Sequence, residues 1–278
     1  MDRPECDKII DEIHRLLFEG SAPLGNEITR ELVRYTVPFL KSDRGELLPA
    51  GTGTLVRFQG APYILTAAHV WELNLAEADR IVIPLRDDGQ NRYSISPNQI
   101  TPVGPAAPPE WTEWGPDIRL LRLPPETIGG IEAAGRPFFN LSMKKERFID
   151  CGFEFRMLAG APALRGEFTA KRAFPELQGM LVRQVTGPFL SLVWHRSDFD
   201  YIDLDIDTSM PDVAPRFGGV SGGGLWKIFV YKGPDGRFES FKVLEGVAFF
   251  QMPQESGGLV VRCHGPQSIG KAVCYLLN

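Results

Sequence analysis

Apolar residues change their period along the chain. From Cys6 to Phe18, Ile9, Ile10, Ile13, Leu16 and Leu17 recur every three to four positions, which predicts an amphipathic helix stopped by Gly20 and Pro23. Short segments rich in β-branched and aromatic residues follow, punctuated by Gly and Pro. Leu32–Leu40, Gly53–Phe58, Pro62–Thr66 and Arg80–Pro84 read as strands, as does Asp117–Leu123 ahead of Pro124-Pro125. A loop-rich stretch from Pro124 to Lys145 separates these from a second series. That series runs through Phe148–Leu158, Gly179–Val185, Leu190–Trp194, Tyr201–Ile206, Leu225–Tyr231, Phe241–Phe250 and Gly257–Cys263. Pro266–Leu277 closes the chain as a helix with Ile269, Ala272, Val273 and Leu276 on one face. The pattern predicts a mainly β protein with two groups of strands, the size of a pair of small barrels, between terminal helices. The expected division is an N-terminal helical extension over 1–26, a first β-barrel and linker over 27–145, and a second β-barrel with the C-terminal helix over 146–278.

Composition narrows the function classes. The 278 residues carry a formal charge of −5, with 43% hydrophobic and 23% charged residues. That balance suits a globular chain and argues against a dedicated nucleic-acid binder. No apolar run reaches the roughly 18–20 residues that span a bilayer, and the acidic N-terminus lacks a secretory signal's apolar stretch. The expected setting is cytoplasmic, without membrane association. Cys6, Cys151, Cys263 and Cys274 are scattered and form no C-x-x-C pair, so reduced thiols and no zinc site are expected. Asp203, Asp205 and Asp207 alternate along a strand and read as one exposed acidic face rather than a calcium site. No metal and no cofactor are implied.

Three segments carry candidate chemistry. Residues 51–71, GTGTLVRFQGAPYILTAAHVW, run a Gly-rich strand and an apolar strand into Thr66-Ala67-Ala68-His69, where small residues let the chain turn and present an imidazole. Residues 114–124, WGPDIRLLRLP, place Asp117 at the start of an apolar strand. Residues 216–226, RFGGVSGGGLW, surround Ser221 with five glycines, so the backbone can turn tightly and expose amides around the hydroxyl. Gly219-Val220-Ser221-Gly222-Gly223 also satisfies the G-x-S-x-G elbow of α/β-hydrolases, with His264 as base and Asp235 or Glu255 as acid. That fold needs a hydrophobic strand before the serine and alternating strands and long helices, which the chain lacks.

Together the three segments resemble the trypsin/chymotrypsin superfamily, whose pattern is T-A-A-H, then D-I-x-L-L, then G-x-S-G-G, in the order His, Asp, Ser. In style they are closest to bacterial HtrA-type peptidases, here a protease domain without a PDZ domain. The resemblance covers about residues 29–277. It takes in Leu158-Ala159-Gly160-Ala161-Pro162, similar to the G-x-P turn of those proteases, and Leu244–Ala248, similar to their substrate-holding strand. It implies a double six-stranded Greek-key β-barrel and a serine endopeptidase in which Ser221 is nucleophile, His69 general base and Asp117 its orienting acid. The amides of Gly219 and Ser221 are the implied oxyanion hole. The implied partners are a protein or peptide substrate and, through the N-terminal helix, a regulatory protein of an intracellular bacterial enzyme. A catalytically silent peptide-binding scaffold of the same fold is the alternative. Two departures matter. Val220 stands where many relatives have the acid that pairs with a new N-terminus, so activation by cleavage is not expected. Pro215 occupies the position of trypsin's specificity acid, and Phe249, Phe250 and Gln251 are the other candidate substrate-binding residues.

Overall fold

The computed structural model describes residues 3–19, 22–85, 91–106, 113–142, 151–161, 183–184, 192–196, 198–206, 218–253 and 258–277. Most of them lie in two antiparallel sheets. The first contains β1 (Thr36–Asp43), β2 (Glu46–Phe58), β3 (Ala61–Thr66), β4 (Arg80–Pro84), β5 (Arg92–Ile95), β6 (Thr101–Val103) and β7 (Arg119–Arg122), with a two-residue β8 (Phe139–Asn140) added in parallel to β2. Its order is β5-β4-β1-β2-β3-β7-β6. The second contains β9 (Gly152–Ala159), β10 (Arg183–Gln184), β11 (Leu192–Arg196), β12 (Phe199–Ile206), β13 (Gly224–Lys232), β14 (Phe238–Pro253) and β15 (Leu259–His264), in the order β10-β9-β13-β14-β15-β12-β11. Among the described residues the sheets hold eight and seven strands. Among the described residues their end strands are not paired with one another. The first sheet curls into a half-barrel.

Strand periodicity explains why both sheets are buried on two sides. Along β2 and β3, Leu55 and Ile64 face a cluster inside the first sheet with Val37, Phe39, Ile81 and Leu121. Val56, Tyr63 and Leu65 point the other way, into a cluster shared with Trp226, Ile228 and Val247 of the second sheet. A third cluster, with Leu158, Leu204, Leu225 and Cys263, fills the second sheet's own interior. Strands buried on both faces read as continuous apolar runs, which is why they were legible as strands without clean alternation.

The helices close the shared cluster. Helix α1 (Arg3–Phe18) contributes Ile9, Ile13 and Leu17, and α4 (Pro266–Cys274) contributes Ile269, Ala272 and Val273. Helix α2 (Pro23–Val33) overlaps the expected strand Leu32–Leu40. Pro23, expected as a helix stop, opens this helix instead, because a first-turn position needs no N–H donor. Gly25 lets α2 meet α1, since a Cβ there would stand 2.5 Å from the Leu17 carbonyl oxygen. Helix α3 (Pro125–Ala133) lies within the expected loop stretch and again starts on a proline. The apolar face of α1 rests on the chain's own second sheet.

Cys6 of α1 and Cys151 beside β9 form a disulfide, with Cα atoms 5.5 Å apart across 145 residues of sequence. The expectation of four reduced thiols is overturned, and with it the cysteine-based argument for a reducing compartment. The cause is packing that spacing alone does not reveal: α1 lies on β9 and brings the two thiols together. Cys263 and Cys274 remain thiols. Among the described residues no helix is long and apolar enough to cross a membrane.

Candidate active site

His69 is placed by the end of β3. After Thr66 the chain leaves the sheet through Ala67 and Ala68, both fully buried. His69 then caps a π-helical turn, Val70–Leu75, recognisable from the Ala76 N–H donating five residues back to the Trp71 carbonyl at 2.9 Å. π-Turns are uncommon and concentrate at functional sites.

Asp117 lies two residues ahead of β7, almost wholly buried. One carboxylate oxygen accepts the His69 backbone N–H at 2.8 Å and the other meets His69 Nδ1 at 2.6 Å. With an ionised carboxylate, Nδ1 carries the proton and Nε2 is the basic nitrogen. The same two residues line a cleft of about 260 Å³ together with Ser221. The structure thus brings all three candidate residues to one cleft, from three distant segments.

The Ser221 loop is held by the first sheet. Thr52 of β2 donates its N–H to the Ser221 carbonyl at 2.9 Å and its hydroxyl to the Gly219 carbonyl at 2.7 Å. The Ala161 N–H donates to Thr52 Oγ1 at 2.9 Å, and Thr66 Oγ1 donates to the Thr52 carbonyl at 2.6 Å. Thr54 Oγ1 donates to the Gly222 carbonyl at 3.2 Å. Gly222 has a φ of 90°, and a Cβ there would fall 1.9 Å from the Thr52 oxygen, so only glycine fits. The N–H groups of Gly222 and Gly223 are committed to Ala248 and Val220 carbonyls. Those of Gly219 and Ser221 donate to no acceptor among the described residues. Val220 between them is buried in the second sheet's interior cluster.

The remaining expected residues divide. Phe250 and Gln251 line the cleft. Phe249 also reaches it but is mainly a core residue, its ring stacked on the His264 imidazole with centroids 4.2 Å apart. Pro215 lies outside the described residues. Asp203 is not on an exposed acidic face. It is buried, its two oxygens bonded to Arg262 at 2.7 and 2.8 Å, with Trp194 Nε1 donating at 3.0 Å. Asp207 lies outside the described residues. The hydrolase-elbow alternative is overturned because Ser221 leads into strand β13, not a helix, and Asp235 sits in the β13–β14 turn. Glu255 lies outside the described residues.

His264, the base of that alternative, ends β15 ahead of α4. It is wholly buried at the end of β15, where its Nε2 accepts the Asp117 backbone N–H at 3.0 Å. Burial outweighs the nearby Asp117 and Asp200 carboxylates and lowers its pKa to about 4. Burial pushes the neighbouring Cys263 thiol well above its ordinary value, which leaves it unreactive. Among the described residues no group of three or more His, Cys, Asp or Glu could hold a metal ion.

No family model matches the chain, and no curated protein matches it. One solved structure similar to it is described as "Aromatic interactions drive the coupled folding and binding of the intrinsically disordered Sesbania mosaic virus VPg protein". The match covers 88% of this chain and 96% of that one, at 12% identity and a TM-score of 0.45. A likeness that slight bears on neither fold nor function.

Proposed function

We propose that the chain is a serine endopeptidase of trypsin-like double-barrel architecture, with His69, Asp117 and Ser221 as its triad. The observation that carries this is the Asp117 carboxylate holding His69 by both its backbone N–H and Nδ1, in one cleft with Ser221. A separate apolar interior within each sheet supports the double-barrel reading.

The chemistry follows from the donors and acceptors. Asp117 fixes the His69 tautomer and leaves Nε2 to take the Ser221 proton as Oγ attacks a scissile carbonyl. The developing oxyanion is received by the Gly219 and Ser221 amides. His69 then protonates the leaving amine, and water attacks the acyl-enzyme by the reverse path. Apart from His69 and Asp117, the described cleft wall is uncharged, with Val220, Ala248, Phe250 and Val261 supplying apolar surface. Peptides with an apolar residue before the scissile bond are the substrates that suit it.

Fluorophosphonate labelling with peptide-library cleavage is the test. Wild type should label at Ser221 and cut after apolar residues. Ser221→Ala and His69→Ala should lose both activities with unchanged thermal unfolding. Folded wild type that neither labels nor cleaves would leave a silent scaffold.

A further inference from the structure

We propose that His264 is a positioning residue for the triad acid: as a neutral imidazole it accepts the Asp117 amide N–H and so holds the Asp117 carboxylate in register with His69. The proposal deepens the serine-protease reading and rests on it for its catalytic consequence, though not for its geometry.

The segment that carries Asp117 has no sheet of its own. Residues 115–118 are irregular, and ladder bonds resume only at Arg119. The second sheet supports this segment at several points, two of them through Tyr201 and His264. Tyr201 of β12 donates its hydroxyl to the Trp114 carbonyl, and His264 of β15 accepts the Asp117 N–H at 3.0 Å. The two residues are register partners, so both supports come from one place in the sheet. Asp117 is therefore fixed at both ends, its amide by the second sheet and its carboxylate by His69 of the first. Gly115 allows the close approach. Its φ is 63°, and a Cβ there would stand 3.2 Å from His264 Nε2.

The choice of histidine is informative. An Nε2 that accepts a hydrogen bond must be unprotonated, which places the neutral ring's proton on Nδ1. Nδ1 is buried and has no hydrogen-bond partner among the described residues. A phenylalanine would pack against Phe249, Tyr201 and Phe199 as this ring does, without burying an unsatisfied donor. The histidine's distinguishing contact is the one to Asp117. Asp200, the other carboxylate near the ring, is engaged elsewhere, accepting from the Ser268 N–H and hydroxyl, both at 2.7 Å, and the Gln267 N–H at 3.1 Å. Asp117 and Asp200 favour the imidazolium, but burial prevails, so the acceptor persists down to a pH of about 4.

Two variants and two spectroscopic signals test this on the full chain. His264→Phe keeps ring volume but removes the acceptor. It should lower kcat by about 10–100-fold with KM little changed, the size of effect that misplacing a catalytic group by about 1 Å produces. His264→Gln, whose side-chain oxygen reaches the same N–H, should recover most of that loss. By proton NMR, the His69 Nδ1 proton bonded to Asp117 should be downfield in wild type, shifted or lost in His264→Phe and restored in His264→Gln. Nitrogen-15 shifts of wild type, which need no variant to fold, should report the Nδ1–H tautomer of His264 at pH 7. An Nε2–H tautomer, or a His264→Phe enzyme with wild-type kcat and an unmoved downfield proton, would overturn the proposal. If wild type neither labels nor cleaves, the protease reading fails, while the tautomer and the downfield proton still decide whether His264 positions Asp117.

Discussion

The N–H, carbonyl and hydroxyl of Thr52 bond the Ser221 loop, Ala161 and Thr66 of the strand that leads to His69. Thr52→Val removes the hydroxyl at nearly constant volume, leaving the Gly219 carbonyl and the Ala161 N–H without that partner. An unmade buried hydrogen bond costs about 1–3 kcal/mol, so melting should fall measurably. Fluorophosphonate labelling should slow by about tenfold or more, because the Gly219 amide loses its fixed direction. Thr52→Ser should behave as wild type, and a Thr52→Val protein labelled at the wild-type rate would show that the clamp does not arrange the loop. Asp117→Asn should be worse, near four orders of magnitude in kcat, since an amide offers one acceptor to the two His69 donors. The triad candidates were legible because small residues and glycines mark the places where a side chain is presented. Thr52 was not, since in GTGT it looks like any strand threonine. His264 was not either, because its function depends on a neighbour 147 positions away.

Helix α1 was legible from its period, but what ties it down was not. Its apolar face and the Cys6–Cys151 disulfide both join it to the second sheet, and Lys232 meets Glu12 at 3.5 Å. Closing a loop of 145 residues restricts the unfolded chain by about 4–5 kcal/mol in the chain-entropy account. Reduction, or Cys6→Ser with Cys151→Ser, should therefore lower the urea midpoint clearly. The His69, Asp117 and Ser221 cleft lies elsewhere, so under the proposed function labelling of Ser221 at low denaturant should be unchanged. A midpoint indifferent to reductant would mean that the bond does not form in solution. Strands were easier to read than helices here. β2, β3, β13 and β15 are apolar runs bounded by turns, whereas α2 and α3 both begin at prolines that punctuate loops equally well.

At the scale of the whole molecule, the parts that meet at the cleft belong to different sheets. Val220 is buried among apolar side chains. The two groups of strands were legible from spacing, whereas the shared core and the burial of His264 emerge only when the sheets are apposed. That burial has a consequence for stability. His264 has a native pKa of about 4, against about 6.5 for an unfolded histidine. Between those values the unfolded chain binds a proton that the native protein does not, so stability rises with pH across the window. On acidification it should fall from about pH 6.5 down to about pH 4 and level off below, by up to roughly 3 kcal/mol from this group. Carboxylates add their own acid dependence, so the informative quantity is the difference between wild type and His264→Gln. Across urea midpoints at pH 7, 5.5 and 4, wild type should lose stability relative to His264→Gln as pH falls, because the variant has no such proton to exclude. Parallel curves across the whole range would show that His264 is not held neutral by the fold.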